Sequence, residues 1–285
     1  MSMAPGPGRP RPASFYFLAA FFVLFLLFLY GPMVGIYILS FQGPQGGMSF
    51  PMVGWSTHWF QVLLAGSGGE GVGDVPNAFG RSMRLAAAVS VCTVAISVAA
   101  GLGFRRKFRG STLLFYTVII SMVMPSIFVG FGIALVFRLM GLNPQWWSSG
   151  LGAQLTWTLP FGVLIMFIVM GRFNPSYEEA ATDLGASSRQ RVFEVILPIL
   201  LPGIIGIAMA GFTGSYDEFA RTSLNIGSSN TLPMEIMALT TIATSPVLFA
   251  VGSITTVVSF LLIGLTLALT TRMARRRTVR TGSEA

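Results

Sequence analysis

Apolar residues along this chain come in long blocks separated by short polar interruptions. Six blocks reach the roughly 20 residues that one helix needs to cross a bilayer core: about 15–41, 82–104, 111–137, 150–171, 196–216 and 247–271. The pattern predicts an all-α, polytopic membrane protein with six transmembrane helices and both termini on one side. The first block is too long for the apolar core of a signal peptide and has no small-residue cleavage site after it, so it reads as a retained helix, tilted or bent near Gly31-Pro32. Composition agrees: 53% of residues are hydrophobic and 10% charged, with a mean hydropathy of +0.72, whereas a soluble domain carries about 25% charged residues.

The net charge of +8 would suit a nucleic-acid binder if the basic residues formed a stripe, but they lie between the apolar blocks. Short loops rich in Lys and Arg stay in the cytoplasm. Arg9 and Arg11 precede block one; Arg105, Arg106, Lys107 and Arg109 separate two from three; Arg172, Arg189 and Arg191 separate four from five; Arg272, Arg275, Arg276, Arg277 and Arg280 follow six. These are 14 of the 18 basic residues, and they place both termini in the cytoplasm. Arg81, Arg84, Arg138 and Arg221 flank block ends. The chain therefore reads as a cytoplasmic tail (1–14), a transmembrane domain (15–271) and a basic cytoplasmic tail (272–285). The segment from Gln42 to Gly80, with Trp55, Trp59, Phe60, Glu70 and Asp74, and residues 141–149, with Trp146 and Trp147, read as exterior loops anchored by aromatics at headgroup level. No internal repeat is evident, so the inverted-repeat signature of many secondary transporters is missing.

The segment from Asn174 to Pro198 carries the most information. Asn-Pro ends the preceding helix, and Ser176 followed by Glu179 has capping-box spacing. A short helix over about Tyr177–Leu184 is predicted, stopped by Gly185 in a left-handed turn. A second amphipathic stretch, Ser187 to Val195, leads into Leu197-Pro198, where proline suits the first turn of the next span. The result is a helix-turn-helix on the cytoplasmic face, with small residues at Ala180 and Ala181 where another protein can approach. A bundle-capping surface hairpin with no partner is the alternative.

Glu179-Ala180-Ala181, Gly185, Val195, Leu197 and Pro198 resemble the EAA signature, E-A-A-x3-G-x9-[I/V]-x-L-P, of the membrane subunits of binding-protein-dependent ABC importers. The resemblance implies a type I ABC importer permease (MetI-like) fold. It also implies coupling helices over about 176–195 that dock on an ATP-hydrolysing subunit, with Glu178, Glu179, Ala180, Ala181, Asp183, Leu184, Gly185, Leu197 and Pro198 as the coupling residues. It extends through YGPMVGIYILSF, FRRKFRG, MVMPSIFVG and SYDEFARTSLNIGSSNTLPMEIMAL, which resemble spermidine/putrescine-type permeases, most of all the second permease subunit of that system. Importers for opines, phosphonates, ferric ions and thiamine share the pattern. Implied partners are a second homologous permease, an ABC ATPase dimer and an extracytoplasmic substrate-binding protein, in a bacterial inner membrane. Each permease would supply half of the pathway.

Candidate pathway residues follow from their cost in a membrane. Asp217 and Glu218 close block five, where ionisable groups face a cavity, a partner or a pathway. They read either as an acid pair that receives a cationic solute or as an interfacial pair neutralised by Arg221 at i+4 and i+3. Glu235, after Pro233, is equally a pathway acid or a favourable helix-start acid. Pro125 and Pro160 remove backbone hydrogen bonds within blocks three and four and allow kinks that line a path or hinge. Cys92 reads as packing, and with His58 as the one histidine there is no metal-ligand cluster. No G-x-x-x-x-G-K-[ST] occurs, so no P-loop is present and ATP with Mg2+ belongs to the partner ATPase. There is no cofactor in this chain, and no H-E-x-x-H or G-x-S-x-G, which argues against an enzyme. An ATP-independent secondary transporter would need ionisable coupling residues at span centres, and the centres hold none.

Overall fold

The computed structural model describes residues 12–65, 73–105, 108–242 and 246–282; in the last helix, side chains are described only in part. Regular structure among these residues is helical, with one isolated bridge between Gln42 and Trp55. In chain order the helices are α1 (Ala13–Leu39), α2 (His58–Ala65), α3 (Val75–Phe104), α4 (Ser111–Val123), α5 (Ser126–Leu139), α6 (Leu151–Gly171), α7 (Ser176–Asp183), α8 (Ser188–Gln190), α9 (Leu197–Tyr216), α10 (Leu232–Ile242) and α11 (Val247–Gly282). Two compact units divide the chain, one within residues 1–72 and 243–258, the other within 73–242 and 259–285. Arg9, Arg11, Glu70, Arg106 and Lys107 lie outside the described residues, as do the side chains of the C-terminal basic cluster.

In the first unit, α1 runs unbroken through Pro32, where the sequence suggested a bend. Its apolar window buries nothing, and Phe17 and Phe28 are among its most exposed side chains, as expected of a helix surrounded by lipid. Beyond it, Gln42 is fully buried and organises the loop: Nε2 donates to the Gly47 carbonyl and Oε1 accepts from Val53 N–H, both at 2.9 Å. Phe41 packs against Trp55 and Phe60.

The second unit is built on α3, α6 and α9. The buried positions of α3 include Ser82, Leu85, Ala86, Val89, Ser90, Thr93, Ser97 and Gly101, a stripe at three- and four-residue spacing made mostly of small side chains. Between membrane helices such residues allow close backbone approach and interhelical hydrogen bonds. Thr93 shares a hydroxyl hydrogen bond of 2.7 Å with Thr158 of α6, and Ser90 donates to the Ala208 carbonyl of α9 at 2.7 Å. Gly162 is glycine for a steric reason, since a β-carbon there would collide with Ser97 Oγ and lie 2.7 Å from Thr93 Cγ2. Towards α7, Met166, Ile196, Leu200 and Ile207 form a fully buried apolar cluster, with Phe173 and Val192 packed on it.

The spans differ from the sequence expectation in instructive ways. Four helical segments among the described residues are long and apolar enough to cross a membrane: Ala13–Leu39, Val75–Phe104, Trp146–Gly171 and Ser188–Tyr216. Block three is not one kinked helix; α4 and α5 meet at 108°. Proline disfavours the helical region for the residue before it, and Met124 is extended (φ −67°, ψ 129°) ahead of Pro125. Counting that broken pair gives five spans. The sixth block falls within α11, which runs from Val247 to Gly282. Pro160, by contrast, stays buried within an uninterrupted α6.

Candidate functional site

Two polar constructions sit at opposite ends of the second unit, because α3 and α9 each run from one to the other. The first is the hairpin of α7 and α8. Its entry is not the expected capping box: Ser176 is already inside α7, and Asn174 Oδ1 accepts from Ser176 N–H at 3.1 Å. The capping box forms instead on α8, where Ser187 accepts from Gln190 N–H and Gln190 Oε1 accepts from Ser187 N–H at 2.9 Å. Gly185 has φ +83°. The bonds from Ala186 N–H to the Ala181 carbonyl and from Gly185 N–H to the Thr182 carbonyl, both 2.9 Å, complete a Schellman stop, which needs a left-handed residue at that position.

The second half of the hairpin is not a separate stretch. Ser188 to Tyr216 is one continuous helix, widened to a π turn over Arg191–Ile196. Pro198 has no N–H for the Glu194 carbonyl and its ring crowds that turn, and a π turn upstream relieves both. The hairpin is thus rigidly joined to α9, with Ile196 buried in the core.

Glu178 and Glu179, adjacent in sequence, do different things. Glu178 bonds Arg105 at the end of α3 and lies 3.7 Å from Arg191 of the second arm. Arg105 also covers the Phe173 ring at 5.4 Å. Arg191 donates to Thr182 at 3.0 Å and to Ser188 at 2.9 Å, closing the hairpin. Glu179 is exposed, and among the described residues its carboxylate forms no hydrogen bond or ion pair. Ala180, Asp183 and Leu184 are exposed with it, Leu184 at 89%. Tyr177 (56%) and Phe193 (62%) are also exposed. An apolar tip of this kind, on a hairpin tied down along its other face, fits a protein contact. Ala181 and Gly185 form the turn itself, and Leu197 and Pro198 begin α9.

At the opposite end, Asp217 caps α9 and Glu218 follows. Spacing allowed an ion pair with Arg221, but none forms. Glu218 Oε1 accepts Arg221's backbone N–H at 2.7 Å. The Arg221 side chain, fully buried, turns the other way. Nε donates to Ser126 Oγ at 3.3 Å, Nη1 donates to Thr156 Oγ1 at 2.7 Å, and the guanidinium lies 5.2 Å from the centre of the Trp157 ring. Nη2 has no hydrogen-bond partner. Asp217 keeps solvent access, although partial burial pushes its carboxyl above the usual carboxylate range. Gln154 links Thr222 (3.0 Å) to Ser215 beneath them.

Glu235 is a staple. Nearly buried, it accepts from Asp74 N–H and Asn230 Nδ2, both at 2.8 Å, which ties the chain after α9 to the start of α3. Arg81 extends the tie to the Asn230 carbonyl at 2.7 Å and to Asp74 at 2.8 Å, and this hydrogen bond, with one from Asn77, holds the Asp74 carboxyl below its ordinary value. Sequence reasoning missed the roles of Arg105, Arg81 and Ser126, because their partners lie 73, 149 and 95 residues away.

Residues 93–276 match the profile of the "binding-protein-dependent transport system inner membrane component" family. The spermidine/putrescine transport system permease protein PotC of Escherichia coli K12 is 26% identical over 238 residues, 83% of this chain and 87% of that protein. The putrescine transport system permease protein PotI of the same strain is 27% identical over 236 residues, 80% and 81% of the two chains. Among solved structures, a chain of a bacterial ABC transporter that imports the acidic polysaccharide alginate superposes with a TM-score of 0.69 at 16% identity, covering 93% of this chain and 99% of that one. A chain of the inward-facing MetNI methionine ABC transporter gives 0.55 at 16% identity, covering 78% and 98%. The helical architecture is that of MetI-like permeases, and the chain belongs to the binding-protein-dependent transport-system inner-membrane components, the permease subunits of ABC importers.

Proposed function

We propose that this chain is one of two permease subunits of an ATP-driven importer for spermidine, putrescine or a closely related amine, with its hairpin on the cytoplasmic side. The observation that carries the reading is the division of labour in that hairpin. Glu178 locks it to α3, a continuous helix joins it to α9, and Glu179, Ala180 and Leu184 remain free at the tip. A rigid lever with an exposed end converts closure of an ATPase dimer beneath it into rotation of the attached helices. The Lys and Arg distribution supports the orientation, and the names of the relatives support the cargo. Asp217 and Glu218 are then the acids at the exterior mouth that receive a cationic solute delivered by a binding protein, and the bend at Pro125 is linked to the same turn through the Arg221–Ser126 contact.

The test is uptake of radiolabelled spermidine by proteoliposomes holding the complete assembly purified through a tag on this chain. ATP inside the nucleotide-binding compartment is expected to be required, and Gly185→Val is expected to cut uptake at least tenfold by straining the left-handed turn. Uptake driven by an ion gradient without ATP, or an unaltered Gly185→Val rate, would contradict the reading.

A further inference from the structure

Two carboxylates and one guanidinium lie within five residues of sequence here, yet they do not pair. A buried cation normally acquires a carboxylate, because leaving it without one is strongly destabilising. Arg221 is fully buried on two hydroxyls and a ring face, with Nη2 unsatisfied. Asp217, at i−4, has a carboxylate with no hydrogen bond or ion pair among the described residues, while Glu218, at i−3, holds only Arg221's backbone N–H. The segment after Tyr216 is turns rather than helix, so helical spacing does not hold the guanidinium against the acids. Local disagreement between charge and pairing of this sort is found at functional sites.

We infer that Arg221 is an intramolecular competitor of the cationic cargo: clipped to Ser126 and Thr156 it leaves Asp217 and Glu218 open to receive the amine, and released from that clip it swings onto the acids and expels it. The clip is suited to this task. Ser126 is the first residue of α5, just past the break at Met124-Pro125, and Thr156 is on α6. Movement of the second half of the broken span relative to α6 opens the clip, so motion of the bundle is coupled to the charge at the acids without any further group. The inference rests on the reading of Asp217 and Glu218 as the cation-receiving pair.

Its signature is that two sets of variants shift the apparent affinity in opposite directions. Initial rates of spermidine uptake are measured in proteoliposomes holding the complete assembly, with subunit content checked in each preparation. Arg221→Gln removes the competing charge, so KM falls by about fivefold, the lower end of ordinary coupling strengths, and kcat falls as release slows. Arg221→Lys keeps the charge and restores kcat. Ser126→Ala with Thr156→Ala frees the guanidinium for the acids, and KM rises. Asp217→Asn with Glu218→Gln raises KM and abolishes the response to Arg221→Gln. KM moving the same way in the Arg221 and hydroxyl variants, or kcat lost with KM constant, overturns the competitor role. An acid double variant with wild-type kinetics, or a wild type that does not carry spermidine, overturns the underlying reading of the acids or cargo, and the competitor role with it.

Discussion

At the residue scale, neighbours of the same chemical type carry separate duties, and the geometry tells them apart. Glu178 and Glu179 are both first-turn acids of α7, but one is spent on Arg105 and Arg191 while the other faces outward. Glu178→Gln should loosen the hairpin by about 0.2–1 kcal/mol, the range of a solvent-accessible ion pair. Hydrogen exchange of α7 amides in the intact assembly is expected to rise in that variant and to stay at the wild-type level in Glu179→Gln. Glu179→Gln should instead weaken retention of the ATPase during purification. Equal effects of the two substitutions on both readouts would refute the assignment. The motif drew attention to Glu179, and only the fold reveals its neighbour's role, since Arg105 lies on a distant helix end. Arg221 teaches the same lesson. Its spacing to Asp217 and Glu218 fits a helical ion pair, but the chain leaves the helix at Asp217, and the side chain takes the hydroxyls of Ser126 and Thr156 instead.

At the element scale, the contact between α3 and α6 is written in small residues rather than large ones. Gly162, Ser97 and Thr93 bring α3 and α6 close enough for hydroxyl contacts, and Gly162→Val should force them apart. Overpacking of this kind costs about 1–3 kcal/mol, so thermal unfolding in detergent is expected to shift down, whereas Gly171→Ala, at a glycine with open space around it, should leave the transition near wild type. A transition unmoved by Gly162→Val would contradict the close packing of α3 on α6. Most helices were legible from hydrophobic blocks because block length is fixed by bilayer thickness. Their ends were not. α3 begins at Val75 and the α8–α9 helix at Ser188, both well before the apolar runs do, because hydrogen bonds and a π turn extend a helix beyond its apolar face. The three prolines of interest also diverged. Pro125 broke its span, Pro160 was absorbed in α6 and Pro198 widened the turn before it, and the outcome depends on neighbours that a single sequence does not display.

At the scale of the whole molecule, the second unit is a lever with a lock. The hairpin is fixed to α3 by Glu178 and to α9 by an unbroken helix, and some 30 Å away, the length of about 20 helical residues, α9 ends in the unpaired charges. Displacement at the tip therefore reaches the acids through one rigid element. The EAA-like spacing made the tip readable from sequence; the charges at the far end were readable as candidates, with their pairing left open between two alternatives. The most direct measurement of the central claim is site-directed cross-linking at Leu184, the exposed apolar side chain at the tip of the hairpin, in a Cys92→Ser background. In the purified assembly, Leu184→Cys is expected to cross-link to the ATPase subunit in a yield that changes between the ATP-bound and nucleotide-free states. A cysteine at Trp147, near the other end of the bundle, should give no such product. Free labelling of the Leu184 cysteine by a bulky maleimide in every nucleotide state, with no ATPase adduct, would contradict the account.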